Sequence, residues 1–187
     1  MSRISILVRQ PRKLIVSLAT VLAAVGLVVG SSASFSSTSA NPSNTFTAGN
    51  LTHGNSKSGS AILTADKMIP GQSTNGTVVI TNTGDVAGTF TLAKSNLTDT
   101  PGPNGGVLSA KLDLKVEDVT GTPTTVYDGK LNAMGTIALG SFASGAAHTY
   151  KFTVSFPDGG VPGSATTGDN AYKGSSTSVQ FDWNATS

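Results

Sequence analysis

The sequence predicts an all-β fold, an antiparallel jelly-roll-like β-sandwich preceded by a helical signal peptide and a flexible arm. Three observations carry this prediction. From residue 45 onward, short runs of alternating apolar and polar residues are separated by Gly, Pro, Asn and Asp turns, which is the pattern of strands half-buried in a sheet. No window after residue 34 shows a persuasive helical period. The first 33 residues, finally, have the order of an export signal. The expected organisation is therefore a signal peptide over 1–33, an arm over 34–44 and one β-sandwich domain over 45–187, a length suited to a single core.

The signal segment is read from its three regions. Arg3, Arg9, Arg12 and Lys13 precede an apolar run at 14–29 that only Ser17, Thr20 and Gly26 interrupt. Small residues Gly30, Ser31, Ser32 and Ala33 follow, so cleavage between Ala33 and Ser34 places small side chains where a signal peptidase needs them. The competing reading is a membrane anchor. A span of about 20 residues is needed to cross the hydrocarbon layer, and this run is shorter, with no basic stop-transfer cluster after it. Residues 34–44 (SFSSTSANPSN) are too polar and Ser-rich to bury themselves.

In the domain, Phe46, Ala48 and Leu51 share one face of an expected first strand, and Ala61 and Leu63 begin a second. Residues 68–72 (MIPGQ) are a turn, because Pro70 fixes φ and Gly71 accepts a positive one. Residues 76–93 hold two β-rich runs around Asn82-Thr83-Gly84-Asp85, which predicts a hairpin or a bend between adjacent strands. Residues 99–106 (DTPGPNGG) are a loop. Over 108–119, Leu108, Ala110, Leu112, Leu114 and Val116 alternate with Lys111, Asp113, Lys115 and Glu117, predicting a strand with one solvated face. Shorter strands follow at 124–131 and 136–139. Tyr150, Phe152, Val154 and Phe156 line one face of a core strand, 157–168 is irregular, and the last strand turns Val179, Phe181 and Trp183 inward. Eight to ten such strands imply a sandwich or jelly roll.

Charge narrows the function. Four of the 12 basic residues lie in the signal segment, so the remaining eight lysines face ten acids and the exported chain is near −2, with no arginine. A nucleic-acid binder keeps positive charge on its folded part, so that class is excluded. Membrane contact is expected only through the uncleaved signal segment. The absence of cysteine removes thiolate catalysis, iron–sulfur clusters and cysteine zinc sites.

Several separated segments resemble one family. Ala33-Ser34-Phe35-Ser36 followed by Asn44-Thr45-Phe46-Thr47-Ala48-Gly49-Asn50-Leu51 is similar to the signal boundary and first strand of the TasA/camelysin proteins, with their F-x-A-G-x-L strand and SipW-type processing. Met68-Ile69-Pro70-Gly71, Asn82-Thr83-Gly84-Asp85 and the ending Val179-Gln180-Phe181-Asp182-Trp183-Asn184-Ala185-Thr186 resemble that family in the same order. Ser36, Ser37 and Thr38 depart from it by standing where its members carry acidic residues. The resemblance implies a jelly roll, a biofilm-matrix or cell-surface role, and fibres built by donor-strand exchange. In such fibres one subunit's N-terminal segment completes the next subunit's sheet. Carried onto this chain, the donor-strand candidates are Phe35, Phe46, Ala48 and Leu51.

Camelysin-type proteins have been classed as metallopeptidases, which raises the zinc question. A zinc protease of the H-E-x-x-H type needs two imidazoles on one helix face beside a glutamate. Here His53 and His148 are the only histidines, both in β or loop context, and Glu117 is the only glutamate. No G-x-S-x-G elbow occurs, and no lysine or helix follows the glycines at 102–106. Asp99, Asp158 and Asp169 could offer oxygen ligands to a hard cation, but acidic turn residues account for them more simply. The sequons at Asn50, Asn75, Asn96 and Asn184 indicate exposure only. Phe90, Tyr150, Phe152, Phe156, Phe181 and Trp183 could form a carbohydrate platform, although their alternation favours a core.

No catalytic, cofactor or metal set is therefore expected, and the chain reads as a non-enzyme. The leading expectation is a secreted structural subunit whose main partner is a second copy of itself, with other matrix proteins as further candidates. The alternative is a monomeric surface module that binds cell-wall glycan or a protein through the loops at 99–106 and 157–168.

Overall fold

The structure is a computed structural model and describes residues 15, 16, 18, 19, 39 and 43–187. The chain divides into two units, Met1–Phe46 and Thr47–Ser187. In the first, Ile15, Val16, Leu18 and Ala19 are helical and exposed. The expected cleavage point at Ala33 and Ser34, together with Phe35, lies outside the described residues. Among the described residues no helix is long and apolar enough to cross a membrane.

The second unit is all-β. Its strands are β1 (His53–Asn55), β2 (Ser73–Asn82), β3 (Gly88–Thr100), β4 (Asp113–Asp118), β5 (Thr124–Lys130), β6 (Ile137–Phe142), β7 (Ala147–Ser155) and β8 (Ser176–Thr186). They form two antiparallel sheets, one ordered β1-β2-β7-β4-β5 and the other β6-β3-β8. Period-two alternation turns Val78 and Ile80 of β2, Leu114 and Val116 of β4, and Tyr150, Phe152 and Val154 of β7 onto one face. Phe90 and Leu92 of β3, Phe142 of β6 and Trp183 of β8 meet them from the other sheet. All are buried. The expected aromatic set is thus core, with Phe181 alone half-buried at its margin.

The expected turn at 68–72 is present. The Gln72 amide donates to Ile69 O at 3.1 Å and Gly71 has φ +85°, so Pro70 and Gly71 occupy the two central positions of a type II turn.

Four expectations are corrected. First, 45–51 is not a strand: residues 50 and 52 spend their backbone groups on the corner at 83–85, where Thr83 and Gly84 amides donate to Thr52 O and the Asp85 amide donates to Asn50 O. The first strand is β1 instead. Second, 61–63 is not a strand; Ile62 and Leu63 lie over the core edge without ladder bonds.

Third, β2 and β3 do not form a hairpin, since they belong to opposite sheets. The corner between them is organised by buried Asn82. Its Nδ2 donates to Val86 O at 2.9 Å and Phe142 O at 3.0 Å, and its Oδ1 accepts the Gly84 amide at 3.0 Å. Such a side chain supplies from within the bonds that a hairpin ladder would have supplied.

Fourth, the strand expected from Leu108 begins only at Asp113. The Asp99 carboxylate accepts the Ser109 amide at 2.9 Å and the Ser109 hydroxyl at 2.6 Å, and Leu108–Lys111 folds into a single helical turn.

Candidate functional site

The two lateral sides of the sandwich differ, and the difference defines the site. On one side β5 and β6 are joined by a link whose Leu131 and Met134 are buried between the sheets. The Leu131 amide donates to Leu112 O at 3.0 Å, the Tyr127 hydroxyl to Lys130 O at 2.7 Å, and Lys94 Nζ to Asn132 O at 2.9 Å. That side is closed.

On the other side β8 is the outermost strand of its sheet, bonded only to β3. An edge strand presents unpaired N–H and C=O groups along its outer margin. This one runs for 11 residues and carries a single charge, Asp182. Short length, inward charges and bulges, the usual devices that blunt an edge, are absent from it. The bulge in the β3·β8 pair falls between Ser95 and Thr98 of β3, where Asn96 adopts φ +49°.

A groove of about 490 Å³ opens beside β8, lined by Asn55, residues 58–62, Val179, Phe181 and Trp183 among others. Val179 and Phe181 are half-buried, whereas Trp183 is only 8% exposed. The Phe181 ring lies 4.8 Å from that of Phe152, and the indole lies 5.1 Å from Tyr150. The indole N–H is buried and has no hydrogen-bond partner. A buried donor without an acceptor costs about 1–3 kcal/mol, and this one belongs to a residue that lines the groove. Burial, followed by the charge of Asp118, raises the pKa of Tyr150, on which the indole packs, well above that of a free phenol.

The donor-strand candidates separate in the structure. Phe46 is 95% exposed, and Ala48 is exposed as well. Leu51 is docked within its own domain, so close to Gly88 that a Cβ there would lie 2.6 Å from its Cδ1. Its neighbour Asn50 donates its amide to Asp85 Oδ1. Residues 43–50 are exposed, but Gly49 abuts Val86 and the backbone is tied to the corner at 83–85 from Asn50 onward, so the untied part of the arm ends at about residue 48 and Leu51 packs on its own domain.

The histidines do not converge on a metal. His53 sits edge-on to Phe90 at 5.9 Å, Phe90 stacks on Phe142 at 4.1 Å, and Phe142 stacks on His148 at 4.0 Å, so two phenylalanines separate them. His148 Nδ1 lies 2.7 Å from Asp118 Oδ2. Burial alone would raise the Asp118 carboxyl, but hydrogen bonds from the Thr120 hydroxyl, His148 and the Thr120 amide outweigh it and hold the group below the usual carboxylate range. An Asp–His pair can orient a general base, yet Asp118 is the one hydrogen-bond partner of His148 among the described residues, and no hydroxyl nucleophile joins it.

The three loop aspartates are each occupied. Asp99 holds Ser109, and Asp158 Oδ1 accepts the Gly160 amide at 2.8 Å. Asp169 accepts the Gly159 amide and pairs with Lys111 Nζ at 3.1 Å, and these two contacts hold its carboxyl down against a smaller effect of burial. Among the described residues no three His, Asp or Glu side chains are grouped to hold a metal ion. The loops at 99–106 and 157–168 do meet, but they bond to one another. Asn104 Nδ2 donates to Ala165 O at 3.4 Å, and just past the second loop it donates to Asn170 O at 2.8 Å while the Gly106 amide donates to Ala171 O at 3.0 Å.

No protein-family model matches the chain, and no curated protein matches it.

Sequence reasoning missed the free edge and the orphaned indole N–H. The low charge of residues 176–186, set against the Lys/Asp/Glu-rich 111–118, was the available signal. Which strand would lie outermost was invisible, since it depends on pairings between residues nearly 100 positions apart.

Proposed function

We propose that this protein is a secreted structural subunit of the bacterial extracellular matrix or cell surface that assembles by strand addition. The arm of one copy, from about residue 34 to 48, pairs with the outer margin of β8 in the next. The free 11-residue β8 edge, beside a groove that holds an unpartnered indole N–H, is the observation that carries this reading. Added strands satisfy exposed backbone groups, and alternate side chains enter the adjoining pockets. Phe46 and Ala48 are two residues apart and so point to one side of an extended arm. Fifteen residues extended at about 3.3 Å each span roughly 50 Å, enough to cover β8 and leave a short connector.

The strand pairings support the jelly-roll reading. β2 pairs with β7, β3 with β6 and β4 with β5, a nested set that describes one antiparallel ribbon rolled into two layers. The resemblance of the boundary, turn and C-terminal segments to TasA/camelysin proteins points the same way, and the signal peptide expected over 1–33 supports a secreted location. On this reading the protein is not an enzyme and needs no cofactor. Its partner is a second copy of itself, with other matrix proteins as further partners.

The test is electron microscopy of residues 34–187 over a concentration series, beside the same chain lacking 34–44. The expected result is filaments about one domain wide from the first and folded monomers from the second. Filaments unaffected by the deletion would rule out the arm as donor. A chain that stays monomeric at every concentration would favour a binding module using the joined loops at 99–106 and 157–168.

A further inference from the structure

We infer that residues 57–68 form a displaceable strap that occupies the acceptor side of the sandwich in the monomer and must lift before a second copy can add its strand to β8. This rests on the assembly reading above and concerns how it is held in check.

The strap lines the same groove as Val179, Phe181 and Trp183, through residues 58–62. Only its apolar side chains touch the core: Ile62, Leu63 and, at its end, Met68 are partly buried, whereas residues 56–61 and 64–67 are exposed. Residues 61–68 make no backbone hydrogen bond to any strand. Residues 61–68 are therefore held by side-chain burial alone, the kind of attachment that opens locally at low cost. Its two ends are turns with left-handed residues, Gly59 at φ +71° and Lys67 at φ +55°. Lysine in that region is strained, and lifting the strap would release it.

The closed side shows what a permanent stopper looks like here. Its Leu131 and Met134 are fully buried, and its backbone is bonded to the core at Leu112. Ile62 and Leu63 fill the corresponding position on the open side with neither property.

Gly76 of β2 provides a precise handle. It faces inward, opposite Phe152, and Ile62 O lies where a side chain would begin, 2.1 Å from an ideal Cβ. A strand accepts alanine at this position, since its backbone needs no positive φ. Gly76→Ala therefore pushes against the strap and against little else.

The experiment follows assembly of residues 34–187 by light scattering and electron microscopy for wild type, Gly76→Ala and Ile62→Ser/Leu63→Ser, with tryptophan fluorescence checking the fold. Because two half-buried aliphatic side chains hold the strap, both variants should shorten the lag about tenfold. Proteolytic cleavage within 61–68 should rise as wild type assembles. If wild type assembles and the folded variants keep its lag, the strap is no barrier, and assembly through β8 stands without it. If the variants assemble more slowly, the strap is part of the binding surface and the inference is overturned. If no chain assembles and a labelled peptide of residues 34–48 binds none of them, the assembly reading falls and the strap with it.

Discussion

The two lateral sides of this sandwich do the same job with unequal thoroughness. Between β5 and β6 the chain crosses directly from sheet to sheet, buries Leu131 and Met134, and ties the crossing with backbone and side-chain bonds. The β5 edge is also broken up: its pairing with β4 is bulged at Val116/Glu117, and Lys130 pairs with Asp113 at its end. Between β2 and β8 the chain offers a longer, straighter and almost uncharged margin, covered in part by a strap without ladder bonds. An exposed edge is a liability in a protein that must stay monomeric. Closing one side and leaving the other open, in one small domain, is what the directional assembly proposed above would require.

The largest expected effect lies in the groove wall. Trp183→Ala removes a buried ring packed on Tyr150 and Phe152, and should destabilise the monomer by about 3–5 kcal/mol in denaturant titration. Trp183→Phe keeps most of the packing and deletes the orphaned N–H, so it should cost the monomer far less while weakening assembly. If both variants destabilise the monomer equally, the N–H has an acceptor and the groove lacks its unsatisfied donor.

Next comes the edge itself. Val179→Lys places a charge on the inward row of β8, a device that natural edges use against pairing. Its assembly should slow at least about tenfold, equivalent to ~1.4 kcal/mol, with the fold retained. Val126→Lys on β5 should leave assembly unchanged, and a loss there would erase the distinction between the sides.

The smallest effect concerns acid. Asp118 and Asp99 are held below their unfolded value of 3.8, so each contributes stability that is present above that value and lost as pH falls through the lower folded one. Stability should therefore decline below about pH 4, and Asp118→Asn should remove about 1 kcal/mol at neutral pH, the net size of one ordinary hydrogen bond. A flat profile from pH 5 to 2 would mean those bonds contribute nothing.

Much of the architecture was legible because burial enforces alternation. Tyr150, Phe152, Val154 and Phe156 could satisfy their pattern only as a strand with one face inward, and Pro70-Gly71 could sit only in a turn. Polar side chains that replace backbone bonds were harder to read. Asn82 made a sheet-to-sheet corner look like a hairpin, and Asp99 drew Ser109 into a helical turn within an alternating run. The candidate site was far less legible. The sequence names a polar arm over 34–44, but edges arise from the order of strands, and no local pattern states that β8 is last in its sheet.

The most direct test of the account is amide hydrogen exchange on residues 176–186, compared between the monomer and the assembled protein. The account predicts that amides on the outer margin of β8 exchange freely in the monomer and become protected on assembly, while β5 and β6 are unchanged. Protection appearing on β5 or β6, with β8 exchanging as it does in the monomer, would contradict it.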